Sequence, residues 1–259
     1  MNGFFNSIVS QTNIPETWVF VVAGQSNALP GTGGTGIGNP EDYPVGTLQW
    51  GRHNGDDNTI VPATEPLQHV TYINLDDGPG LAVRFANRMK DLYPNVRLLF
   101  IPCAENGSSF LANQWNRGNY LYNGMVVRTN LCMSQNPSFK FKGFLWQQGE
   151  SDSGNVNYET ILPSFVNTVR EDIIKASETS VFLLGGQVPL RLINDTDAIV
   201  INNITKNIPN QINYTAYVDP MLPTQLEDRD NLHYTSASSL ILGDRYFDAY
   251  FTALTNNSN

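Results

Sequence analysis

The run Thr17-Trp18-Val19-Phe20-Val21-Val22-Ala23, closed by Gly24-Gln25-Ser26-Asn27, settles the architecture. It is apolar at odd and even positions alike, rich in β-branched and aromatic residues, and ended by glycine. Such a run reads as a strand covered on both faces. Strands of that kind sit in parallel sheets, where each crossover lays a helix over one face or the other. The rest of the chain fits this start. Further short apolar strands are expected at Val96–Ile101, Phe139–Gln147, Val181–Leu184 and Tyr214–Val218. Helical spacing links Leu81, Phe85, Met89 and Leu92. It recurs over Tyr120–Ser134, again at Ile161, Phe165, Val169 and Ile173, more weakly over Ala198–Asn207, and last over Ser236–Leu254. The expected architecture is one α/β domain spanning 1–259. It has three layers: a parallel sheet of about five strands with helices on both faces. Residues 1–16 read as an N-terminal extension. The stretch 27–66, full of Gly, Pro, Asn and Asp, reads as one long irregular loop beside the site.

Composition narrows the function. The chain has 259 residues, 41% of them hydrophobic, enough to bury roughly three quarters of its surface in one core. Fifteen Lys and Arg stand against 24 Asp and Glu, a net charge of −9 with no basic cluster. Nucleic acid and anionic membranes are therefore not expected partners. No apolar run approaches the length of a membrane helix. The N-terminus lacks the basic and apolar regions of a secretory signal, which leaves the compartment open. Cys103 and Cys132 are too few for a disulfide framework; they form one bridge or stay as buried thiols, and free burial is the simpler reading.

In a parallel sheet, ligands bind beyond the carboxyl ends of the strands. Four polar patches stand there: Gly24-Gln25-Ser26-Asn27, Glu105-Asn106-Gly107-Ser108-Ser109, Gln147-Gln148-Gly149-Glu150-Ser151-Asp152 and Asp230-Asn231-Leu232-His233. Together they supply a hydroxyl, glycine amides, side-chain amides, carboxylates and an imidazole, which are the parts of an acyl-transfer site. His233 lies three residues after Asp230, close enough for the carboxylate to orient the ring. His53 and His69 have no such partner in sequence, so surface roles are expected for them. Ser26 follows a glycine at a strand end, where a tight turn exposes a hydroxyl; the bland alternative is a helix cap. Ser151 is a rival nucleophile, disfavoured by its two acidic neighbours.

The four patches resemble the SGNH hydrolases, and within them the sialate O-acetylesterase-like group of carbohydrate esterase family six. Gly24–Asn27, Trp146–Asp152 and Asp230–His233 match that group's blocks in order. The block at Asn106-Gly107-Ser108-Ser109 departs from it, with Asn in place of one Gly. The resemblance implies a flavodoxin-like sheet and a serine esterase needing no cofactor. Ser26 would be the nucleophile, His233 the general base, and Asp230 the acid, with Glu150 as the alternative acid. The oxyanion hole would comprise the Ser26 amide, the Gly107 amide and the Gln148 side chain. The implied substrate is an O-acetylated carbohydrate, with sialic acid, xylan and bacterial surface polysaccharide as candidates.

Asn27, Trp115 and Tyr120 are candidate substrate contacts, and Trp50 and Tyr122 are further aromatics of the kind that stack on sugars. Two other classes remain in view. One is a non-catalytic carbohydrate-binding module with a decayed site. The other is a dinucleotide-binding protein, since Gly31-Thr32-Gly33-Gly34-Thr35-Gly36 matches a fingerprint with Asp56 and Asp57 about twenty residues on. That match neither follows a strand directly nor opens a helix. No metal-binding spacing occurs.

Overall fold

The computed structural model describes residues 15–29, 43–72, 78–222 and 224–257. The chain begins with β1 (Thr17–Gly24) and returns through β2 (Thr47–Trp50) and β3 (Ile60–Pro62). Then follow α1 (Leu81–Leu92), β4 (Arg97–Pro102), α2 (Tyr120–Ser134), β5 (Lys140–Gln147) and α3 (Tyr158–Asp172). The last third holds β6 (Val181–Gly185), α4 (Pro189–Asn194), α5 (Thr196–Asn207), β7 (Thr215–Val218) and α6 (Ser236–Thr255).

Among the described residues the sheet has seven strands, in the order β3-β2-β4-β1-β5-β6-β7. All pairs are parallel except β2 with β3. The expected five are all present. The two extra strands, β2 and β3, lie inside the stretch read as irregular. Each is only three or four residues long, and their partly polar sequence carries no apolar run for periodicity to find. The Gly31–Gly36 fingerprint and residues 1–14 of the 1–16 extension lie outside the described residues.

β1 shows why the sequence builds this sheet. Val19, Val21 and Ala23 enter one core, with Met125 of α2, Phe165 and Val169 of α3, and Ile201 of α5. Trp18, Phe20 and Val22 enter the other, with Phe85 and Met89 of α1 and Leu242 and Tyr246 of α6. Strand alternation thus divides one apolar run between two helical layers. α1 and α6 pack closely because residue 243 is glycine: a Cβ there would stand 2.3 Å from the Leu81 carbonyl oxygen. Asp244, the next residue, accepts from Arg84 Nε at 3.1 Å and Arg88 Nη1 at 2.9 Å, tying the pair at its rim. Both cysteines are free and buried, and burial pushes the Cys132 thiol up to about 12.

After β1 the chain crosses to one side of the sheet, and after β4 it crosses to the other. The order reverses at β1, and the crevice opens at its carboxyl end.

Candidate active site

Ser26 is placed by the sharp exit from β1. Gly24 has φ +129°, and a Cβ on it would stand 2.0 Å from the Gln147 carbonyl oxygen of β5. Only glycine fits there. The Gln25 amide donates to that same carbonyl at 2.9 Å, and the chain turns at once into one 3-10 turn over Ser26–Ala28. The neighbouring side chains then hold this turn. Gln25 Oε1 accepts from the Ser151 amide at 3.0 Å, and Asn27 reaches Glu150 and the loop before α6.

His233 arrives from the far end of the sequence. Asp228 and Tyr234 pair as an isolated antiparallel bridge, the Arg229 amide donates to the His233 carbonyl at 2.8 Å, and Asn231 turns the chain at φ +63°. Tyr234 anchors the loop from below, its hydroxyl donating to the Gly186 carbonyl at 2.9 Å. Thr235 then caps α6, accepting from the Ser238 amide at 3.2 Å. In this setting His233 Nε2 lies 3.1 Å from Ser26 Oγ. Nδ1 lies 3.0 and 3.1 Å from the two Asp230 oxygens. Burial pushes the Asp230 carboxyl up, but hydrogen bonds from the His233 ring, the His233 amide and Arg229 outweigh it. They hold the carboxyl well below the usual carboxylate range. Arg229 Nη2 donates to Asp230 Oδ2 at 3.0 Å and stands 3.3 Å from His233 Nδ1. Sequence reasoning does not find Arg229, since a lone arginine beside an aspartate carries no motif.

Glu150 is brought to the site but not to the imidazole. It is buried, with Oε1 accepting from Asn27 Nδ2 at 2.6 Å. Burial pushes its carboxyl up, the Asn27 hydrogen bond pulling against that. Ser151 meets Gln25 through its amide.

On the β4 side, Gly107 is exposed at φ +68°. Among the described residues no acceptor engages its amide or that of Ser26. The segment after Gly107 is pinned from below by Asp152. This fully buried carboxylate accepts from the Phe110 and Leu111 amides at 2.9 Å each, from Gln148 Nε2 at 2.6 Å and from Asn155 Nδ2 at 2.8 Å. Four donors compensate its burial. Gln148 therefore departs from the expected oxyanion donor. Its side chain is buried, its nitrogen faces Asp152, and its oxygen accepts from the Tyr158 hydroxyl at 3.2 Å.

Two of the three expected sugar contacts also differ. Trp115 is 0% exposed, edge-on to Trp146 at 4.9 Å, with its indole N–H on Ser108 Oγ at 2.8 Å. Asn27 is 6% exposed, and both ends of its amide are engaged by the protein. Trp50 and Tyr122 are buried as well. Tyr120 alone of these keeps an open face, at 56% exposure, beside Gln114. Nor is His69 on the surface: it is buried, and Nδ1 accepts from the Ala104 amide at 3.0 Å, bracing the turn after β4. Burial, with the Arg52 and His53 charges, lowers it to about 3, so it stays neutral. Apolar neighbours enclose Trp50, Trp115 and Tyr122, and a backbone hydrogen bond holds His69; spacing along the chain reveals neither. The described residues hold no group of three metal-ligating side chains.

A mostly parallel sheet that brings a hydroxyl, an imidazole and a carboxylate together beyond its switch point has the layout of a flavodoxin-like α/β enzyme. The chain belongs to the carbohydrate esterase, sialic acid-specific acetylesterase family, whose family model matches residues 16–252. It is with that family a carboxylic ester hydrolase that removes O-acetyl groups from carbohydrates. A probable carbohydrate esterase of Arabidopsis thaliana is 26% identical, over 93% of each chain. A probable 9-O-acetyl-N-acetylneuraminic acid deacetylase of Escherichia coli K12 is 28% identical over 54% of this chain and 55% of its own length. The match thus spans about half of that relative. Among solved structures, an Arabidopsis thaliana protein superposes with a TM-score of 0.76 at 24% identity, covering 93% of this chain and 99% of that one. The NanS crystal structure gives 0.74 at 22%, covering 92% and 98%. At these identities the superpositions show the shared fold.

Proposed function

We propose that the protein is a serine acetylesterase acting through an acyl-enzyme on Ser26. The observation that carries the reading is the line Ser26 Oγ, His233 Nε2, His233 Nδ1, Asp230, with hydrogen-bond distances of 3.1 and 3.0 Å. Neutral His233 takes the Ser26 proton as Oγ attacks the acetyl carbonyl. Asp230, held ionised, keeps the proton of His233 on Nδ1 and stabilises the imidazolium. The amides of Ser26 and Gly107, free of described acceptors, are the donors for the tetrahedral oxyanion. The protonated ring then gives its proton to the sugar oxygen as the C–O bond breaks. Water, deprotonated by His233, attacks the acetyl-enzyme and releases acetate. Tyr120, open and hydrogen-bonded to Gln114, whose Oε1 accepts from the Ser109 amide of the loop that carries Gly107, is the residue we assign to the sugar side.

Within the substrate class, acetylated sialic acid, xylan and bacterial surface polysaccharide are the candidates. The net charge of −9 favours the less anionic of them. The test compares p-nitrophenyl acetate, butyrate and octanoate, with Ser26→Ala alongside. Acetate is expected to be cleaved fastest, and Ser26→Ala to lose at least about 10³-fold in kcat. Undiminished hydrolysis by Ser26→Ala would refute the nucleophile.

A further inference from the structure

Resting on that reading of Ser26 and His233, we propose that Glu150 and Asn27 form a positioning pair: the Glu150 carboxyl orients the Asn27 amide, and that amide fixes the backbone on both sides of His233 above Ser26. Asn27 is the residue after the nucleophile. Its Nδ2 donates to Glu150 Oε1 at 2.6 Å and to the Leu232 carbonyl at 2.9 Å. Its Oδ1 accepts from the Tyr234 amide at 3.1 Å. Leu232 and Tyr234 flank His233. The imidazole is thus carried by a backbone clamped, before and after it, to the neighbour of the hydroxyl it must reach.

The clamp works in only one orientation of the amide. Rotating the Asn27 amide by half a turn would set its oxygen against two acceptors, Glu150 Oε1 and the Leu232 carbonyl, and its nitrogen against the Tyr234 N–H. Glu150 supplies one of the two acceptors that, with the Tyr234 N–H, select the working orientation. The turn bearing Glu150 is itself held, its carbonyl accepting from Arg191 Nη1 at 3.0 Å. Among the described residues Glu150 Oε2 has no hydrogen-bond partner. A buried carboxyl with an unmatched oxygen is a cost that packing does not explain, and such groups concentrate where function requires them. The role of triad acid does not fit, because His233 Nδ1 is already flanked by Asp230 and Arg229.

The experiment compares wild type, Ser26→Ala, Asp230→Asn, Glu150→Gln, Asn27→Asp and the double variant Asn27→Asp/Glu150→Gln. For each, kcat and KM on p-nitrophenyl acetate are measured together with the melting temperature. Glu150→Gln should stay within about threefold of wild-type kcat, since its side-chain oxygen still accepts from Asn27. Asn27→Asp should lose about 100-fold in kcat, with KM changed less than about threefold, as expected for a small misplacement of reacting groups. The double variant should regain at least about tenfold of that loss, because the amide introduced at position 150 can donate to the carboxylate introduced at position 27. A merely structural role would not give this recovery. The proposal is overturned if Glu150→Gln falls as low as Asp230→Asn, if Asn27→Asp keeps wild-type kcat, or if the double variant is no better than Asn27→Asp. Should Asn27→Asp fail to fold, Glu150→Leu decides. It keeps volume and removes the acceptor, so at least about tenfold loss in kcat at near-constant KM is expected, and wild-type kcat refutes the pair. An active Ser26→Ala would instead remove the serine reading itself, a result separate from all of these.

Discussion

Each residue of the Gly24-Gln25-Ser26-Asn27 block has a distinct physical task. Gly24 permits the turn, Gln25 binds the amides after β5, Ser26 faces His233, and Asn27 grips the loop around His233. Trp115 illustrates the opposite case, a residue that looks like a ligand platform and belongs to the core. It packs against Trp146 and Phe165, and its N–H is satisfied by Ser108. Trp115→Ala should therefore destabilise the protein by about 3–5 kcal/mol in chemical denaturation, the usual cost of truncating a buried aromatic. A loss of sugar affinity at full stability would contradict this assignment.

At the scale of elements, the site is a meeting of strand ends with two loops, and the contact between β1 and β5 sets its floor. Any side chain at residue 24 would drive a Cβ into the Gln147 carbonyl and impose φ +129° on an L-residue. Gly24→Ala is expected to lower stability by at least about 2–3 kcal/mol and to reduce activity beyond what the loss of folded protein explains. Thermal melts paired with active-site titration would check both; a stable, fully active variant would contradict the argument. The β4 loop depends instead on Asp152, which ties Phe110 and Leu111 to the turn after β5. Both turns therefore shift together if Asp152 is lost.

Across the whole molecule, titratable groups shifted by their surroundings give stability a pH dependence of its own. Glu65 lies at the start of α1, where the Gly80 amide donates to Oε2 at 3.2 Å. Burial pushes its carboxyl up, against hydrogen bonds from Tyr43 and Gly80, from 4.5 to about 7. A carboxyl raised in the folded state favours folding most when protonated. Its contribution is full below about pH 4.5 and is lost as the pH rises through about 7. The stability of wild type relative to Glu65→Gln should accordingly fall as the pH rises from about 4.5 through about 7 in denaturant titrations. A difference that stays flat over this window would show that Glu65 titrates normally. Asp230 acts in the reverse direction: its depressed carboxyl stabilises above the ordinary carboxylate range, and the effect fades as acid protonates it.

Local signals along the chain were enough to specify five of the seven strands, the five longer helices over them and the four polar patches at the strand ends. Those signals are apolar runs, helical spacing, and glycine at strand exits. They also brought Asp230 and His233 together, because three residues of one turn separate them. That Glu150 meets Asn27 and not the imidazole was decided only in three dimensions, by the path of the turn after β5. The packed fold likewise turned Trp115 and His69 inward and gave the nitrogen of Gln148 to Asp152. Burial and hydrogen-bond partnership are properties of neighbours in space, and the neighbours of these residues lie tens of positions away or more, or depend on how a turn is folded. β2 and β3 belong to the same class. Their strand character comes from pairing beside β4, and their own residues carry too weak a pattern to announce it.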